Sequence, residues 1–150
     1  MKKIIYITIA LFVSLFINGC KDESNNMESA RRFSQEFHEK FNGGKYEEIY
    51  ISSDIGLKAK VDKETFINSM KKIHESLGDV KSSNLIGVTS AKSDQGLNLV
   101  AAKFKTEYAE GTAEETFFLK PDENQITLFQ YNIDSNDLIA INYHVSKTNH

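Results

Sequence analysis

A change of hydrophobic period at Gly78 constrains this 150-residue chain more than any other feature. Before it, apolar residues recur every three or four positions. After it come four short runs rich in β-formers, separated by turn residues. From Ser29 to Phe41, the residues Ala30, Phe33, Phe37 and Phe41 line one face of an amphipathic helix. Asn42-Gly43-Gly44 ends that helix with residues that accept left-handed geometry. Lys45 to Ile51 carries Tyr46, Ile49 and Tyr50 as a short second helical turn, whereas Gly56 leaves Asp54 to Lys60 without a regular pattern. Asp62 is the expected N-cap of a helix over Lys63–Leu77, with Phe66, Met70, Ile73 and Leu77 as its buried stripe and Gly78 as its stop.

Beyond Gly78 the β-rich runs are Leu85–Ala91, Leu97–Tyr108, Ala113–Lys120 and Gln125–Ile133. The connectors 93–96, 109–111 and 121–124 are short and turn-rich, as antiparallel hairpins require. Val100, Ala102, Phe104 and Tyr108 share one face of the second run, opposite Lys103, Lys105 and Glu107, so that strand is half buried. The third and fourth runs alternate less cleanly, because Phe117 adjoins Phe118 and Leu128 adjoins Phe129. Asp134–Asp137 reads as a turn, Leu138–Val145 as a short terminal strand, and residues 146–150 as a frayed end. Helices first and a four-stranded antiparallel meander second define an α+β layer, occupying residues 29–145 as one domain.

Ahead of the domain stand Lys2-Lys3, a 14-residue apolar run from Ile4 to Ile17, and Asn18-Gly19-Cys20. The run fits a signal peptide and falls short of the roughly 20 residues a spanning helix needs. Ile17-Asn18-Gly19-Cys20 resembles the bacterial lipobox. The resemblance implies a leader over residues 1–19, cleavage before Cys20, diacylation of its thiol and anchoring to a membrane through that lipid. Several acyl chains hold far better than one. Cys20 is the only cysteine, so no internal disulfide can form and acylation accounts for the thiol. Residues 20–28 then read as the lipidated cysteine and a flexible polar tether. Lys21 after the cysteine resembles outer-membrane sorting, facing the periplasm, in a Gram-negative host.

Charge narrows the partners. The whole chain carries −3, and loss of Lys2 and Lys3 with the leader takes it to −5 without any long charge block. That argues against nucleic acid and against a basic lipid-binding surface. One proline excludes a Pro-rich stalk.

The text from Phe41 to Tyr50, the Phe66 helix ending at Leu77-Gly78, and the pairing of 115–119 with 125–133 together resemble NTF2-like and cystatin-like-fold bacterial lipoproteins. The resemblance covers Ser29 to Ser135 and implies helices on a curved four-stranded sheet. It supports a fold more than an activity.

Motifs for chemistry are sparse. His38-Glu39 and His74-Glu75 each open like a zincin helix, but Asn42 and Gly78 stand where the second histidine belongs. No metal, cofactor or nucleophile motif is evident. The NTF2-like resemblance suggests one enzymatic option, a conical pocket with a buried general base as in ketosteroid isomerase. Glu115 and His74 are the candidates, with Phe104, Tyr108 and Tyr131 as further lining residues. The plainer expectations are a Glu115 that faces water or pairs with Lys103 or Lys105, a half-covered His74, and aromatics that pack the core. The expected function is a non-catalytic, lipid-anchored binding or accessory module of the cell envelope. The alternatives are a small-ligand pocket and an inhibitor or immunity protein of an envelope enzyme.

Overall fold

The computed structural model describes residues 20–123 and 125–138. The expected leader over residues 1–19, all but the first residue of the expected terminal strand Leu138–Val145, and residues 146–150 lie outside that range. The chain runs α1 (Cys20–Asn42), α2 (Tyr46–Ser52), α3 (Ile55–Lys60), α4 (Lys63–Leu77), β1 (Val80–Lys92), β2 (Asn98–Tyr108), β3 (Thr112–Pro121) and β4 (Ile126–Asp134). It is an α+β fold, with the helices packed against one open antiparallel sheet of order β1-β2-β3-β4. Among the described residues no helix is long and apolar enough to cross a membrane.

The first helix starts earlier than expected. Residues 20–28 are its opening turns, not an irregular tether. No glycine or proline interrupts 20–42, and Asn25 and Asn26 line a cleft together with Lys92, Asn98 and Pro121 of the sheet. The expected stripe is buried: Ala30, Phe37 and Phe41 enter the core, and Phe33 packs at its edge. Ser34 and His38 sit on the same stripe and are buried with them. Gly44, with φ of 67°, ends the helix as its left-handed residue.

Asp54 resolves the ambiguous segment after α2. Its side chain accepts from the Gly56 N–H at 2.7 Å and caps α3. Its backbone N–H donates to the Leu128 carbonyl of β4, and its carboxylate receives Lys120 Nζ at 3.1 Å. Gly56, expected to weaken the segment, is what lets α3 press on the sheet. A Cβ there would stand 2.2 Å from the Phe129 ring. Asp62 caps α4 as expected, accepting from the Thr65 N–H, and Phe66, Met70, Ile73 and Leu77 are buried. Gly78 (φ 73°) closes α4 and the chain enters β1 directly.

The strands match expectation except that β1 begins five residues earlier, at Val80. Asn42 holds that start by bonding both the N–H and the carbonyl of Val80. The irregular alternation of the last two strands has two explanations. On β3, Ala113, Glu115, Phe117 and Leu119 point into the core while Phe118 faces the other side. On β4 the register shifts after Phe118, placing Phe129 at a bulge where its ring meets α3.

Candidate functional site

Register brings the polar residues of the core to one point. Glu115 on β3 stands opposite Phe104 on β2 and Ile133 on β4. Thr106 is two residues along β2 and Tyr131 two residues along β4, so both are diagonal neighbours on the helix-covered face. Tyr108 reaches in from the end of β2, and His38 comes down from α1. The Glu115 side chain is 0% exposed. Its Oε1 accepts from Tyr108 Oη (2.8 Å) and Tyr131 Oη (2.6 Å). Its Oε2 accepts from His38 Nε2 (2.8 Å) and Thr106 Oγ1. Two hydroxyls extend the network outward: Ser83 Oγ meets Thr106 Oγ1 at 2.8 Å, and Ser34 Oγ lies 3.3 Å from His38 Nδ1.

The donor count decides the charge state. A carboxylate accepts about four hydrogen bonds, and four donors are aimed at this one. A neutral carboxyl would have to direct its own proton at one of them. Burial alone pushes the Glu115 carboxyl up, but the hydrogen bond and charge of His38, with Thr106 and Tyr131, more than offset it. The net shift is below the usual value of 4.5. Burial and the Glu115 charge push the Tyr108 and Tyr131 phenols up, so both stay protonated donors.

A depressed folded-state carboxyl stabilises the fold fully above its unfolded value and less as pH falls. Unfolding free energy should therefore hold from neutrality down to about pH 5 and then decline through and below about pH 4.5. Urea titrations at stepped pH measure this, and a stability that is flat from about pH 6 to about pH 3 would contradict it.

A family model described as "Protein of unknown function (DUF4019)" matches residues 33–131, two thirds of the chain. The chain belongs to the DUF4019 family. Searches of curated proteins and of solved structures return no significant match. The DUF4019 segment opens at Phe33 and closes at Tyr131. It therefore contains Glu115 and all four of its hydrogen-bond donors.

Within this DUF4019 domain the two sequence candidates part company. Glu115 is neither water-facing nor paired with Lys103 or Lys105; that expectation is corrected. Its neighbour Glu114, of opposite parity, takes Lys103 on the exposed face. His74 joins a different cluster at the end of α4. Its Nε2 donates to Asp79 Oδ1 at 2.7 Å and its Nδ1 bonds the Tyr46 hydroxyl. Burial, with the charges of Glu75 and Asp79, raises the Tyr46 phenol. The His74 side chain is 20% exposed, in line with a half-covered helix residue. Phe104, Tyr108 and Tyr131 are all brought to the Glu115 region, where they are buried as part of the core.

Thr106 and Ser34 are the members that motif reasoning did not single out, and His38 entered it only as the start of an incomplete zincin-like motif. Each carried a positional signal. Ser34 and His38 fall on the Ala30–Phe37–Phe41 stripe, and Thr106 lies between Phe104 and Tyr108 on the buried face of β2. Polar residues at apolar positions are the mark of an internal network. Among the described residues no three His, Cys, Asp or Glu side chains come together as a metal site would need.

Proposed function

We propose that this DUF4019 chain is a lipid-anchored binding or accessory module of the cell envelope, built on an NTF2-like or cystatin-like domain and acting without turnover. The reading rests on the state of Glu115. A general base needs a lone pair directed at its substrate, within about 3 Å. All acceptor directions of this carboxylate are taken by the protein, and the Tyr108 and Tyr131 phenols that could serve as acids are spent on the same group. Such a saturated network rigidifies and specifies a core. The lipobox-like Ile17-Asn18-Gly19-Cys20 supports the anchor, and the mildly acidic composition fits a partner other than nucleic acid.

Fractionation of cells expressing the chain with a C-terminal tag tests the anchor. The wild type should sediment with membranes and take up an alkyne-palmitate label, while Cys20→Ser should lose the label and most of the membrane association. A Cys20→Ser protein that remains labelled and membrane-bound would overturn the assignment. Cross-linking of the tagged wild type in intact cells identifies what it binds.

A further inference from the structure

Between α1 and β1 lies a crevice of about 400 Å3 whose lining includes His38, Ser34 and Phe104. The Asn42–Val80 pair of hydrogen bonds clamps α1 to β1 at one end, so the two walls are held in fixed relation. Arg31 stands on the helical wall and Lys81 on the strand wall. Neither forms an ion pair among the described residues. The acid on the helical wall, Glu39, accepts from Gln35 at 3.3 Å and keeps its charge, so the two cations exceed it by one.

The buried network sets what the floor of the crevice offers. Glu115 is ionised, so His38 Nε2 must donate to it. The other ring nitrogen, Nδ1, meets the Ser34 hydroxyl at 3.3 Å on the crevice side. The crevice thus presents two cations from opposite walls, against one carboxylate, with the Ser34 hydroxyl beside them.

We propose that this crevice is the ligand site of the module and that it takes a small oxyanion, a carboxylate or phosphate group. Arg31 and Lys81 meet its charge, and the Ser34 hydroxyl lies at the floor. Charge-assisted bonds to guanidinium and ammonium groups are the strong contacts for such ligands, and fixed walls avoid the ordering cost of a loop site. The proposal rests on the reading of the chain as a binding module, and it also says where that binding occurs.

The full chain, isotope-labelled and held in detergent micelles, can be titrated with inorganic phosphate and separately with acetate, reading amide and histidine side-chain resonances. Saturable shifts are expected at Ser34, His38 and Ser83. Arg31→Gln combined with Lys81→Gln should weaken the stronger probe about tenfold or more, and Ser34→Ala should weaken it less. Arg32→Gln, one residue along and on the wall of a different cleft, should leave it unchanged. The absence of saturable shifts with either anion would overturn the site, as would shifts that survive the double variant or vanish equally with Arg32→Gln. Because Cys20 fractionation reads the anchor independently, failure here would leave the envelope assignment standing.

Discussion

Glu115→Gln is expected to cost about 3–5 kcal/mol of unfolding free energy, the range for removing one partner of a buried charge pair. The substitution is nearly isosteric, so packing is preserved and the effect isolates charge and hydrogen bonding. The amide that replaces the carboxylate would keep one acceptor oxygen for two of the four donors. Its amide hydrogens would face the other two, and where these are hydroxyls they must turn to accept, giving up the bonds they donate to the carboxylate. His38 Nε2 would lose its carboxylate acceptor in a site where the side chain is 9% exposed. Urea unfolding measures the loss. A second arm, His38→Gln alone and combined with Glu115→Gln, should be strongly non-additive because the two side chains touch. The acid-dependent decline of stability should also flatten in Glu115→Gln. A loss below about 1 kcal/mol, the upper end for an exposed pair, would mean that Glu115 is not the hub of this network.

Phe117→Ala should be as damaging, at about 3–5 kcal/mol, for a different reason. Phe117 is fully buried at the meeting of helix and sheet. Its ring lies 5.0 Å from that of Phe37 and 5.8 Å from Phe33 on α1. Phe104 is 5.6 Å away and Tyr131 5.2 Å. Truncation opens a cavity walled by rigid rings that cannot collapse into it, and it removes the edge contacts that aromatic pairs add to burial. Phe117→Leu, which keeps most of the volume, should lose clearly less. Equal losses for Ala and Leu would place the importance of Phe117 in ring geometry and not in filled space.

Both residues show what sequence reasoning could and could not reach. Periodicity located α4 and its Asp62 cap, all four strands, and the meander order, because those signals are local. It did not assign Glu115, because the residue's neighbours on the page are Glu114 and Thr116, while its neighbours in space are His38 and Tyr131. Only the β3–β4 register and the placement of α1 over the sheet create that junction. Parity alone hinted at it: Glu115 alternates with Ala113, Phe117 and Leu119, a frame obscured by the adjacent Phe118. Gly56 failed in the opposite direction. It reads as a helix breaker by propensity, yet it occupies a helix because the Phe129 ring leaves no room for a side chain.

The unbroken helix from Cys20 also changes how an anchored domain would sample its surroundings. About ten extended residues let a head swing through a radius of up to about 35 Å. The same stretch as helix, from Cys20 to the first core residue Ala30, spans about 15 Å. If Cys20 is acylated as proposed, the domain would stand on a short mast instead of a leash. Its distance from the lipid would then be limited by that rigid length, and encounters would be confined to molecules that come within that layer.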